Sequence, residues 1–162
     1  RLVVAYARLK AMNSGFPDLR MVVRRDRAFG GFMREVEESP ARESISVLSH
    51  VDDGMLRRLY LECSFLVMPS LKEGFGLPAL EAMAAGTPVV VSGGTALEEL
   101  TGEAAVLVDP LSVEDIMRGM ALMASDPSLR EKLSRMSVER ASLFTWEKTA
   151  SRMVEGIEGI TG

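Results

Sequence analysis

Apolar residues Leu2, Val3, Tyr6 and Leu9 recur at the spacing of one helix face, and Asn13, Ser14, Gly15 and Pro17 then close the pattern. The period changes after that. Five short apolar or β-branched runs follow, LRMVV at 19–23, ISVL at 45–48, FLVMP at 65–69, TPVVVS at 87–92 and AAVLV at 104–108, and each predicts a strand. Between them the spacing predicts helices over 29–38, 54–62 and 77–85, with a short helical turn over 96–100.

Strands that are apolar at nearly every position belong to sheets covered on both faces, whereas half-exposed antiparallel strands alternate with polar residues. Alternation of such strands with helices predicts a doubly wound parallel α/β fold. Beyond Ser112 the pattern is helical only. Ser112 with Asp115 three residues on resembles a capping arrangement, Asp126-Pro127 starts a second helix, and Thr145-Trp146-Glu147 starts a third. Trp146 is expected to anchor that last helix, and TASRMVEGIEGI to bury one apolar face. The helix at Leu2 has no Ser, Thr, Asp or Asn before it, so the chain is expected to begin inside a larger protein.

The stretch PSLKEGFGLPALEAMAAGTPVVVSGG, residues 69–94, places strand, glycine-rich loop, helix and strand in unbroken order. Pro78 suits the first turn of the helix and Gly86 its C-terminal cap. Gly74-Phe75-Gly76 then stands at a helix N-terminus, where free N–H groups and the positive end of the helix dipole favour an anion such as a diphosphate. Glu73 precedes these glycines and Glu81 follows them, roughly 6 to 8 Å along the helix axis. Ionised carboxylates accept two or more O–H bonds, so the pair could hold hydroxyls on both sides of the phosphates. The same two acids could equally be solvated residues drawn to a helix N-terminus by the dipole alone.

Composition narrows the classes. The 162 residues are 47% hydrophobic and 26% charged, enough for one packed domain over 1–162. Nineteen basic against 23 acidic side chains give a net charge of -4, with no basic field for a nucleic-acid backbone. One cysteine, Cys63, and one histidine, His50, permit neither an internal disulfide nor a multi-histidine metal site. Cys63 is read as a buried inert thiol, His50 as a surface or packing residue, and Met117, Met120 and Met123 as core filler. With no long apolar block or export signal, the chain reads as cytoplasmic.

The run EGFGLPALE, Glu73 to Glu81, resembles the signature of retaining nucleotide-sugar glycosyltransferases of the GT-B fold, family 4, whose donor domain carries Glu, seven residues, then Glu. Further segments are similar in the same order: DLRMVV, ISVLSHVDDGMLRRLYLECSFLVMPS, GTPVVVSGGTALEEL, GEAAVLVDPLSVEDIMRGM and FTWEKTA. The resemblance implies the donor-binding half of a GT-B enzyme, without the first strand of its own sheet and without the acceptor domain. It implies that Glu73, in the catalytic position, holds the donor sugar's hydroxyls. Gly74, Phe75, Gly76 and Leu77 would meet sugar and distal phosphate, Glu81 the ribose, and the loop of Val51, Asp52 and Asp53 the base. Asp52 or Asp53 could instead simply cap the helix that follows.

The implied reaction moves a hexose from a UDP- or GDP-sugar to an acceptor hydroxyl with the anomeric configuration retained, as in mannosyltransferase-like relatives. No Asp-any-Asp triplet occurs, so no metal and no cofactor is expected. The acceptor, a glycan, lipid or small molecule, would be held by an N-terminal domain. The whole protein could attach peripherally to the inner face of the membrane, and the last helix would cross back toward the missing domain. Two departures stand out. The Arg and Lys that relatives supply to the phosphates would precede Arg1, and Arg24-Arg25 occupy the place of a glycine usual after the strand. Gly74, Gly76 and Ala79 also fit Gly-any-Gly-any-any-Ala, which keeps an NAD(P)-binding domain as the alternative, beside a degenerate scaffold that binds nothing.

Overall fold

The computed structural model describes residues 1–161. The chain runs α1 (Leu2–Met12), β1 (Leu19–Val22), α2 (Phe29–Glu37), β2 (Ile45–Leu48), α3 (Asp53–Glu62), β3 (Leu66–Met68) and α4 (Leu77–Ala84). It continues through β4 (Val89–Ser92), α5 (Ala96–Thr101), β5 (Ala105–Val108), α6 (Val113–Ser125), α7 (Pro127–Ala141) and α8 (Trp146–Thr161). A short 3-10 turn at Arg42–Ser44, which periodicity did not reveal, leads into β2.

All strand pairing is parallel, as the sequence predicts. Leu19 lies opposite Ile45 in the β1–β2 pair, and Val67 opposite Val90 in a second sheet of order β3-β4-β5. Among the described residues β1 and β3 therefore each have one hydrogen-bonded neighbour and one open edge. A single apolar cluster nevertheless reaches across both sheets, joining Leu19, Met21 and Val47 to Val67, Val90 and Val106.

Strand β4 shows why the run TPVVVS is apolar throughout. Successive side chains of a strand point to opposite faces. Val90 packs with Val3, Tyr6 and Leu9 of α1, Val36 of α2 and Ile116, Met120 and Met123 of α6. Val89 and Val91 pack on the other face with Tyr60 of α3, Ala79, Ala82 and Met83 of α4, and Leu97 and Leu100 of α5. Helices thus cover both faces, and the change of face falls between α2 and α3. Gly119 lets α6 lie directly on the sheet, because a β-carbon there would stand 2.5 Å from Val108 Cγ1 and 3.0 Å from Val90 Cγ1.

Helix starts follow capping chemistry. Asp52, Thr95, Ser112 and Asp126 each accept a hydrogen bond from a backbone N–H in the first turn of the helix that follows. Gly86, at φ +79°, closes α4 as expected. The strand expected over 87–92 begins only at Val89, because Pro88 has no N–H to donate and Thr87 Oγ1 donates to the Tyr60 carbonyl at 2.6 Å.

Two packing expectations are corrected. Cys63 is exposed rather than buried: it caps the C-terminus of α3 at the surface, although its Sγ lies 3.4 Å from the Tyr60 carbonyl and local burial pushes the thiol's pKa up. Trp146 is 78% exposed, and Met153 and Val154 are exposed as well, so the tryptophan does not anchor α8 in the core and these two positions of its apolar stripe lie at the surface, while the side chains at 158–160 lie outside the described residues. Met120 and Met123 are buried and Met117 packs against the same cluster, as the sequence suggests. His50 is exposed.

Candidate functional site

The loops that carry the candidate residues each follow the C-terminal end of a parallel strand, the side on which open α/β sheets bind ligands. The loop after β3 leads through Glu73, Gly74, Phe75 and Gly76 into α4. Helix α4 differs from α3, α5, α6 and α7 in having no side-chain cap: its N-cap is Gly76 in the left-handed region, φ +96°. The Gly76 carbonyl accepts from the N–H groups of Ala79 and Leu80, and Pro78 carries no N–H, so in the first turn of the helix the Leu77 N–H alone has no partner within it. Pro78 lies in the first turn, where its missing N–H costs nothing.

The requirement for glycine at 76 is twofold. The positive φ disfavours any residue with a β-carbon, and such a carbon would collide with the Leu97 side chain. Gly74 is different, since a β-carbon there meets nothing within 4 Å. Phe75 stacks edge-on against Phe144 with ring centroids 6.0 Å apart, and the Arg140 guanidinium lies 5.1 Å from the Phe144 ring centroid. Arg140 is itself fixed by donating to the carbonyls of Leu100 at 2.8 Å and Glu99 at 2.6 Å. The glycine loop is also tied from below, where the buried Ser92 hydroxyl at the end of β4 donates to the Ser70 carbonyl at 2.7 Å.

Glu73 is half-buried on the loop, and Glu81 is exposed on α4. The Glu81 carboxylate has one protein partner that the sequence reading missed: the Tyr60 hydroxyl donates to Glu81 Oε2 at 3.1 Å. Burial first, and then the neighbouring Glu81 charge, push the Tyr60 phenol's pKa up, so it remains a proton donor. A tyrosine at an inward position of an otherwise aliphatic face was the available signal, because a buried phenol needs a partner for its O–H.

Val51 lines a separate cleft of about 360 Å³ after β2, together with Val47, Leu48, Ser49, His50, Asp52 and Met55. His50 adopts φ +64°, which turns the chain sharply at the strand end. Asp52 is engaged as the cap of α3, its Oδ1 accepting from the Met55 N–H at 2.7 Å. Asp53 is the exposed first residue of α3 and is not on the cleft wall. Arg25, which stands where a glycine was expected, donates to Ser49 Oγ at 3.0 Å and lies over the Phe29 ring. Its guanidinium therefore borders the residues of this cleft.

Among the described residues no three His, Cys, Asp or Glu side chains gather as metal ligands, and no helix is long and apolar enough to cross a membrane. The dinucleotide pattern also lacks its geometry. That fingerprint needs its first glycine directly after the strand, whereas β3 ends at Met68 and residues 69–73 precede Gly74.

Comparison with known proteins agrees with this reading of the fold. The chain is 37% identical over 119 residues, 74% of its length, to O-antigen chain mannosyltransferase B of Escherichia coli, covering 31% of that protein. It superposes with TM-score 0.82 on sucrose-phosphate synthase from Thermosynechococcus elongatus at 27% identity, covering 99% of this chain and 41% of the other. A structure of the C-terminal domain of a glycosyl transferase group 1 family protein from Francisella tularensis matches 88% of this chain with TM-score 0.70 and 26% identity, over 77% of that domain. The chain spans less than a third of the length of the curated relatives it matches. These structural neighbours are GT-B glycosyltransferases, and the family model for glycosyl transferases group 1 matches residues 29–140, more than half of the sequence. The chain therefore belongs to the glycosyl transferases group 1 family.

Proposed function

We propose that this chain is the donor-binding part of a retaining, family 4 hexosyltransferase that uses a UDP- or GDP-sugar. The observation that carries the reading is the start of α4: a glycine N-cap at φ +96°, no side chain hydrogen-bonded to the first turn as a cap, and a carboxylate before and after it along the chain in Glu73 and Glu81. A diphosphate placed there meets backbone N–H groups and the positive end of the helix dipole. Glu73 accepts hydroxyls of the sugar, the backbone from Gly74 to Leu77 meets sugar and distal phosphate, and Glu81 accepts hydroxyls of the ribose. Val51 and the cleft after β2 face the base, with Asp53 the residue that would have to reach it from the start of α3.

Transfer breaks the bond between the anomeric carbon and the diphosphate oxygen, and the electron pair leaves with the diphosphate. The acceptor oxygen bonds to the anomeric carbon on the same face and passes its proton to the departing diphosphate oxygen. The transition state is oxocarbenium-like, so charge accumulates on the departing diphosphate, where the N-terminus of α4 stabilises it without a metal ion. The acceptor, a glycan, lipid or small molecule, is held by the rest of a longer protein, toward which α8 crosses. This chain then binds the donor and does not turn over alone. A further parallel strand from that protein fits between the open edges of β1 and β3, and the location is cytoplasmic, with peripheral attachment to the membrane.

The test is calorimetric titration of the chain with UDP-glucose, GDP-mannose and NADH, alongside its Glu81→Ala variant. Saturable binding of one nucleotide sugar, weakened by the variant while the fold is kept, supports the reading and names the base. Binding of NADH alone overturns it, and a folded chain that binds none of the three is a degenerate scaffold.

A further inference from the structure

Glu81 sits on an exposed face of α4, where a glutamate side chain samples many rotamers and loses that freedom when a ligand fixes it. Its surroundings differ from that default in one respect. Tyr60 reaches it from α3, a separate element, and donates to Oε2 at 3.1 Å. The tyrosine is fixed at several points. Its ring is buried with Ala79, Ala82 and Met83 of α4 and with Leu97, and its carbonyl accepts from Thr87 Oγ1 at 2.6 Å. The bond occupies one lone pair of Oε2, and a carboxylate has further lone pairs on both oxygens with which to accept a ligand's hydroxyls.

We infer that Tyr60 is a positioning residue for the nucleotide: its hydroxyl holds the Glu81 carboxylate in the orientation that accepts the ribose hydroxyls. The inference rests on the donor-site reading of Glu81. Tyr60 itself does not touch the donor. It lowers the cost of binding by ordering Glu81 beforehand, in the manner of other preorganised sites. Burial and the carboxylate push the phenol's pKa up, so the donor hydrogen is in place at neutral pH.

The experiment measures dissociation constants of GDP and UDP and of their 2′,3′-dideoxy forms, for the unaltered chain, Tyr60→Phe, Glu81→Ala and the double variant. For whichever base binds, Tyr60→Phe weakens the ribonucleotide about three- to tenfold, the scale of one net hydrogen bond, and leaves the dideoxy form within about twofold. In the Glu81→Ala background the same change has no further effect. A merely structural role for Tyr60 would weaken both nucleotides alike, and that outcome, or no change in either, overturns the inference while Glu81→Ala still erases the preference for ribose. If Glu81→Ala leaves that preference intact, or the folded chain binds no nucleotide, the donor reading fails and the inference fails with it.

Discussion

The Leu97 side chain fills the space that a β-carbon on Gly76 would need, so the first turn of α5 dictates the residue at the start of α4. Gly76→Ala carries both that collision and the penalty of φ +96° and is expected to destabilise the chain by about 2–4 kcal/mol, read by urea denaturation. Gly74→Ala, with nothing within 4 Å, should leave the midpoint nearly unchanged. Its effect on nucleotide-sugar affinity then isolates how closely a ligand approaches the backbone there.

Asp52 borders the cleft after β2 but serves α3, through the hydrogen bond from the Met55 N–H. Asp52→Ala removes a helix cap and should cost about 1 kcal/mol of stability, whereas Asp52→Asn or Asp52→Ser should recover most of it. Thermal melts of the three variants check this. A loss that Asn fails to restore would mean that the negative charge, and not the capping bond, is what the fold uses.

The Asp115 carboxylate links two elements, accepting from the Asp109 N–H at 2.7 Å and from Arg118 Nε at 2.5 Å. Arg118 first, and then that N–H, hold its pKa below the ordinary value of 3.8. A carboxyl depressed in the folded state stabilises the fold above its unfolded pKa, and the contribution is lost as pH falls through the folded value. The melting temperature of Asp115→Asn should therefore lie below that of the unaltered chain at pH 7, with the gap closing below about pH 4.

Phe144 supports the glycine loop from outside by its edge-on contact with Phe75. Phe144→Ala should remove about 0.5–1.5 kcal/mol of loop stabilisation beyond lost burial, seen as faster amide exchange over residues 73–77. Donor affinity should fall although no atom contacting the donor is altered. Unchanged exchange over that loop would show that the Ser92 to Ser70 hydrogen bond alone holds it.

Periodicity sufficed for every strand and for the helices, because β4 is apolar on both faces and α1 buries Val3, Tyr6 and Leu9 at helical spacing. The glycine loop was legible for a related reason: Gly76 and Gly86 meet backbone demands that glycine satisfies at least strain. What remained hidden depends on contacts distant in sequence. Tyr60 and Glu81 are 21 residues apart, and nothing local pairs them. Exposure of Trp146 and Cys63 was misread because an apolar residue type reports a preference for burial and not the presence of a neighbour to supply it. The Arg24-Arg25 departure proved interpretable only in space, where Arg25 meets Ser49 across the β1–β2 pair.

The division of the strands into two hydrogen-bonded groups also has a mechanical meaning. The β2 ladder bears the cleft with Val51, and the β3 ladder bears the glycine loop. No backbone hydrogen bonds clamp one ladder to the other among the described residues; side-chain packing through α1, α6 and their shared cluster is what couples them. Dispersion and burial are non-directional, so this packing holds the two ladders side by side without setting a strand register between them. On the proposed reading, the parallel strand that enters between β1 and β3 supplies that register, and the cleft beside Val51 and the glycine loop then stand on one continuous sheet, which a single nucleotide sugar can span.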